Sequence, residues 1–198
     1  ERTVYLIEKI EAERKKRGWK ELAYEVGTEE TMGGLISADA FAGCAKLAKV
    51  DLGAVEEIEQ YAFADCTALS EITLPATVQA VDAVSFYGCT ALKAINVAEG
   101  NEKFQSLDGV VLVANGDEEP VFDTIAIFPA GKEGDYVVPE TVINIADKAF
   151  YNCDAVTDVV FHTAFINIGA EAFYDCDSIT AIELFENARD VGSYSFAS

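Results

Sequence analysis

Apolar residues return along this chain in two interlocked rhythms. Leu69-x-x-Ile72-x-Leu74 ends in strict alternation, and the same spacing recurs as Leu92-x-x-Ile95-x-Val97, Val156-x-x-Val159-x-Phe161 and Ile179-x-x-Ile182-x-Leu184. Alternation of period two predicts a short, half-buried strand, because successive side chains of a strand point to opposite faces. A second apolar pair follows, as in Val78-x-x-Val81, Val142-x-x-Ile145 and Phe165-x-x-Ile168, and predicts a return segment along the opposite side. Next comes a fixed phrase: Ala40-Phe41-x-x-Cys44, Ala62-Phe63-x-x-Cys66, Ser85-Phe86-x-x-Cys89, Ala149-Phe150-x-x-Cys153 and Ala172-Phe173-x-x-Cys176, restarting at Ser195-Phe196. It predicts a tight helical or 3₁₀ corner with Phe and Cys turned inward.

Successive Phe positions lie 22 residues apart from Phe41 to Phe63, and 23 apart from Phe63 to Phe86, Phe150 to Phe173 and Phe173 to Phe196. A fixed period of this size denotes stacked units, each burying its apolar face against its neighbours. Strands recurring once per turn then align as a parallel sheet. The interval from Phe86 to Phe150 is 64 residues, so one unit there carries an insertion. That insertion, about residues 99–135, reads as a hairpin. Its strands are Val110-Val111-Leu112-Val113 and Thr124-Ile125-Ala126-Ile127-Phe128, joined by the polar turn Asn115-Gly116-Asp117-Glu118-Glu119-Pro120. Pro129-Ala130-Gly131 closes it before Tyr136-Val137-Val138-Pro139 re-enters the repeat.

Residues 1–35 stand apart from the repeats at 36–198. Val4, Ile7 and Ile10 make a narrow apolar stripe that predicts a helix over 1–17, stopped by Gly18. Trp19, Leu22, Tyr24 and Val26 suggest a short strand or capping segment before Gly33-Gly34. A helical cap over the open edge of the first repeat is the expectation. The alternative is that the basic tract Arg14-Lys15-Lys16-Arg17 touches an anionic membrane or partner.

The motif Leu69-Ser-Glu-Ile72-Thr-Leu74-Pro75-Ala-Thr-Val78-Gln-Ala-Val81 resembles the repeat of the BspA-like leucine-rich repeat family of bacterial surface proteins. Tyr136-Val-Val-Pro139-Glu-Thr-Val142-Ile-Asn-Ile145, running on to Ala149-Phe150 and Cys153, is equally similar. Within the insertion, Ser106 to Leu112 and Phe128 to Lys132 look like that family's interrupting hairpin. Ser at 85 and 195 replaces the usual Ala, Phe165 stands where Val is usual, and the first 35 residues do not match. The resemblance implies an α/β repeat, a right-handed leucine-rich repeat solenoid with parallel strands. It also implies a non-catalytic protein-binding module of a surface or secreted protein, associated with adhesion to host proteins and other cells. An intracellular scaffold, or an accessory domain of a larger enzyme, are the competing readings.

Composition narrows the partners. Hydrophobic residues make up 51% of 198, which argues against disorder over most of the length. Fourteen Lys and Arg stand against 35 Asp and Glu, a formal charge of −21, and with no basic stripe visible nucleic acid is not an expected ligand. No apolar run is long enough to span a bilayer, and membrane contact is not expected. Val4-Tyr5-Leu6-Ile7 is too short for a signal-peptide core, although a chain starting at Glu1 is silent on a removed leader. The repeat phrase stops before its next Cys, so further repeats or a cap are expected to follow.

No catalytic, metal-binding or cofactor-binding constellation emerges. The five cysteines occupy equivalent positions in successive units, which sets their side chains parallel and roughly 5 Å apart. Parallel vectors do not suit a disulfide, so a ladder of buried thiols is expected. His162 is the only histidine and reads as a solvated turn residue, which removes His-based triads and multi-His metal sites within the chain. The Asn115–Glu119 turn offers oxygen ligands for Ca²⁺ but lacks the spacing of a calcium loop. What remains is the outward side of the predicted strands, where repeat scaffolds bind. Alternation puts Lys49 and Asp51, Glu71 and Thr73, Ala94 and Asn96, Asp158 and Val160, and Ala181 and Glu183 there. A macromolecular protein partner, including a host extracellular or cell-surface protein, suits so broad a face.

Overall fold

A computed structural model describes residues 34–115, 120–184, 186 and 188–197. Among the described residues there are thirteen strands: β1 Gly34–Ile36, β2 Val55–Ile58, β3 Glu71–Leu74, β4 Ala80–Val81, β5 Ala94–Val97, β6 Phe104–Leu107, β7 Val110–Asn115, β8 Val121–Ile127, β9 Gly134–Val137, β10 Asn144–Ile145, β11 Val156–Val160, β12 Asn167–Ile168 and β13 Asp190–Val191. The N-terminal helix and cap expected before residue 34 lie outside the described residues, as does the polar turn at 116–119.

The chain winds as a parallel-strand solenoid of about seven turns. Two series of strands form its sides. The return strands pair in parallel as β1-β2-β4 and, beyond the insertion, as β8-β10-β12-β13. The outer strands pair in parallel as β3 with β5 and β9 with β11. The pleat sorts the residues as alternation demands: Ile72 and Leu74 of β3 are buried, while Glu71 and Thr73 face out.

The corners depart from expectation. No helix occurs among the described residues, and the segments predicted as helical or 3₁₀ are runs of turns. The described part is therefore a β-solenoid rather than an α/β repeat. Backbone handedness explains the difference. The residue two after each corner Phe has positive φ (Gly43, Asp65, Gly88, Asn152, Asp175), and so does the residue two before it at Asp39, Tyr61, Lys148, Glu171 and Tyr194. Left-handed residues interrupt a right-handed helix. The corner amides instead bond the next turn: Phe63 N donates to Ser85 O and Asp65 N to Tyr87 O, both at 2.8 Å. Phe150 N to Ala172 O and Asn152 N to Tyr174 O repeat the pattern at 2.8 Å.

This register stacks the corner rings. Phe41, Phe63 and Phe86 form one column at 5.0 and 5.6 Å. Phe128, Phe150, Phe173 and Phe196 form another at 4.3, 4.7 and 5.3 Å. Phe128 is the surprise. The 64-residue interval divides there, 42 residues after Phe86 and 22 before Phe150, so the insertion supplies its own corner ring.

The insertion is a three-stranded antiparallel meander, β6-β7-β8, rather than one hairpin. Asp108 and Gly109, at φ 51° and 75°, make the two-residue turn between β6 and β7 that such positive angles favour. The meander runs from one side of the solenoid to the other. At one edge Ile95 N donates to Gly109 O (2.8 Å) and Val97 N to Ser106 Oγ (3.1 Å). At the other edge β8 pairs with β10 and takes the place of a return strand. The middle strand is apolar on both faces: Val111 and Val113 pack on the N-terminal core, Val110 and Leu112 on the C-terminal core. The insertion is thus a wall through the solenoid, and a strand buried on both faces reads as a continuous apolar run.

Candidate functional site

The outer strands present the predicted face as two separate patches. On β3 and β5, Glu71 lies beside Ala94 and Thr73 beside Asn96. Glu71 and Thr73 are exposed and Asn96 is half-buried. On β9 and β11, Asp158 lies beside Asp135 and Val160 beside Val137. Lys49, Asp51, Ala181 and Glu183 are exposed but stand outside strands. Between the patches lie two ion pairs, Lys93–Glu133 at 2.9 Å and Lys132–Asp108 at 2.8 Å, the second fixing the meander's tip. Lys93 also holds the Glu133 carboxyl below its ordinary range, through hydrogen bonding first and charge second.

Sequence reading missed Asp135 and Val137 on this face. Their signal was present, because Tyr136-x-Val138-Pro139 aligns with Ile72-x-Leu74-Pro75 and so places 135 and 137 opposite Glu71 and Thr73. Val137 is 66% exposed and Val160 44%, a side-by-side apolar spot beside the Thr157–Asp135 hydrogen bond (2.7 Å).

The other candidate chemistry is absorbed by the fold. None of the five cysteines forms a disulfide; Cys44 is half-buried and the other four are buried. Each buried thiol donates to the carbonyl of the Phe one turn earlier: Cys66 to Phe41 (3.3 Å), Cys89 to Phe63 (3.0 Å), Cys153 to Phe128 (3.7 Å) and Cys176 to Phe150 (2.9 Å). The ladder therefore also ties the turns together. Contact with Cys89, then burial, pushes the Cys66 thiol up. Burial pushes Cys153 up strongly and Cys176 to about 12. A thiol reagent is accordingly expected to titrate five equivalents in denaturant without reductant, but only Cys44 readily in the native protein. Fewer than four in denaturant indicates a disulfide.

Alkali extends this expectation. Cys176 rises from 9.0, and buried Tyr136 rises from 10.0, each to about 12. The folded state keeps these protons while the unfolded chain loses them. Stability is thus full below about pH 9 and falls as pH climbs toward about 12. Denaturation curves across that window check the slope, and a flat profile contradicts burial of these groups.

His162 is a half-buried turn residue rather than a solvated one. Its Nε2 donates to Val142 O at 2.7 Å while Nδ1 accepts from Ala164 N at 3.3 Å. Among the described residues no three His, Cys, Asp or Glu side chains gather as a metal site. No described helix is long and apolar enough to cross a membrane.

Comparison with known proteins fits this architecture. A search of curated proteins finds no match. Among solved structures, the pneumococcal vaccine antigen PcpA superposes with a TM-score of 0.65 at 24% identity, over 80% of this chain and 44% of that one. A leucine rich cell surface protein from Faecalibacterium prausnitzii gives 0.54 at 27% identity, over 68% of this chain and 34% of that one. A leucine-rich repeat protein from Eubacterium ventriosum gives 0.51 at 18% identity, over 70% and 41%. The chain thus spans less than half the length of each. The family model for the BspA type leucine rich repeat region matches six copies, at residues 34–107 and 134–198, and passes over the segment that holds β7 and β8. With its repeats, corner phrase and solenoid winding all in that pattern, the chain belongs to the BspA-type leucine-rich repeat family.

Proposed function

We propose that this chain is a non-catalytic, protein-binding module of a bacterial cell-surface or secreted protein, with an adhesive role, and that the outer strand face is its binding surface. The observation that carries the reading is the exposure of Glu71, Thr73, Asp158, Val137 and Val160 on backbone held rigidly by strand pairing. Polar side chains around a small apolar spot on a fixed scaffold match the anatomy of a protein interface, an apolar centre with a polar rim. Lys49, Asp51, Asn96 and Glu183 extend the face at its margins. The cell-surface description of the Faecalibacterium relative supports the location. Among the described residues the buried thiols and His162 are engaged in hydrogen bonds within the fold.

Binding to extracellular-matrix proteins and glycans, measured in parallel, tests this proposal. Charge reversal at Glu71, Asp158 and Glu183 is expected to weaken a protein partner by roughly threefold or more and to change its salt dependence. A partner whose affinity and salt dependence survive all three reversals binds elsewhere.

A further inference from the structure

The return-strand sheet is interrupted at one place. β4 pairs with β2 along one edge, and among the described residues no strand pairs with its other edge. Two features of the sequence make the gap. The meander gives the near edge of β8 to β7 instead of β4. The corner after β8 is also two residues short, Ile125-Ala126-Ile127-Phe128 where the next turn has Ile145-Ala146-Asp147-Lys148-Ala149-Phe150. Val84 registers the loss. Its counterparts Lys148 and Glu171 donate their amides to Ala170 O and Ser193 O of the following turn, whereas Val84 N turns back to Asp82 Oδ1 at 3.0 Å.

The gap is a groove of about 620 Å³. Phe104, Val81, Val113 and Ala126 line it as apolar surface. Val81 is only half-buried there, although its counterparts Ile58, Ile145 and Ile168 are almost wholly covered by the next turn. Glu57, Glu59, Asp82 and Asp147 add four carboxylates, and no Lys or Arg lines the groove. Glu57 pairs across the sheet with Ala80, so only a methyl separates it from the open edge.

We propose that this groove receives an extended polypeptide in which apolar side chains alternate with Lys or Arg, added as a strand along the free edge of β4. A strand edge offers main-chain donors and acceptors at fixed spacing, and an added strand sends alternate side chains to opposite faces. One set then meets the apolar floor that a following turn covers elsewhere, and the other meets the carboxylates. The site is independent of the outer strand face and lies on the opposite strand series.

Fluorescence anisotropy tests this with the full 198-residue chain and a labelled eight-residue peptide alternating Val and Lys, beside a scrambled peptide of the same composition and a Val–Glu alternating one. The alternating Val–Lys peptide is expected to bind at least about tenfold tighter than the scrambled peptide, with protection of the Val81 and Ala83 amides from hydrogen exchange. Combined Glu57→Gln, Asp82→Asn and Asp147→Asn is expected to weaken it about fivefold, while reversal of Glu71, Asp158 and Glu183 leaves it unchanged. Both Asn side chains retain the oxygen that caps Val84 N or Ala170 N. Ala80→Arg, at an exposed position, provides a second variant with the same expected loss if the triple variant melts early. Equal binding of the scrambled peptide, or equal sensitivity to the two sets of charge changes, overturns the proposal and reduces the effect to the general acidity of the chain.

Discussion

Phe63→Ala lowers the free energy of unfolding by about 3–5 kcal/mol, and Phe150→Ala does the same. The Phe63 ring has no exposed surface and lies nearly parallel to Phe41 (5.0 Å, 3°) and Phe86 (5.6 Å, 9°). Phe150 is as deeply buried between Phe128 and Phe173. Truncation removes apolar contact with two turns at once, and collapse cannot recover it. The turn spacing is pinned by hydrogen bonds such as Phe41 N to Ala62 O (2.7 Å) and Phe63 N to Ser85 O (2.8 Å). Each lost ring pair adds about 0.5–1.5 kcal/mol beyond area. Phe196, 46% exposed with one stacking neighbour, serves as the internal contrast and loses less on the same change. Chemical denaturation reads the difference, and a loss below about 1 kcal/mol at Phe63 contradicts the cavity argument.

Gly131→Ala is expected to cost about 3 kcal/mol, the upper end of overpacking penalties. Gly131 N donates to Leu92 O at 2.8 Å, which brings the insertion's closing segment against the preceding turn. A methyl group there would stand 2.6 Å from both Leu92 N and Thr90 O. Both obstacles are backbone, so no rotamer change relieves the clash and the two turns must part. Gly53→Ala makes the comparison: nothing lies within 4 Å of its added methyl, and only its φ of +56° opposes the change. That left-handed angle costs about 1–2 kcal/mol. Thermal unfolding separates the two, since each kcal/mol moves Tm by about 2–4 °C in a chain of this size. Equal shifts mean that the close approach at Gly131 costs no more than a left-handed angle, which contradicts the backbone clash.

Much of the solenoid was legible because its repeat is local. The alternation in Glu71–Leu74 is the pleat itself, and the exposure of Glu71 and Thr73 follows from it. Gly43, Asp65, Gly88, Asn152 and Asp175 are residue types that tolerate positive φ, so half of each corner's geometry is also written locally. Tyr61, Lys148 and Glu171 have no such preference, and their left-handed backbone belongs to corners hydrogen-bonded to the next turn. A helical reading of the corners failed for that reason. β6 escaped notice because Phe104-Gln105-Ser106-Leu107 carries little alternation, although Asp108-Gly109 marked the turn beyond it.

By itself, the sequence determined the family, the repeat spacing, the inward Phe and Cys positions and the outward side chains of β3 and β11. Each depends on residue type at fixed offsets, which a linear chain records directly. Only the tertiary structure decided that Phe128 joins the ring column, that β7 divides the core, and that the outer face falls into two patches. It alone exposed the free edge of β4. These features depend on which segments, some 20 to 40 residues apart, share hydrogen bonds. The short corner after β8 shows the reason most clearly: its missing residues are visible in the sequence, but the groove they leave exists only when two turns stand side by side.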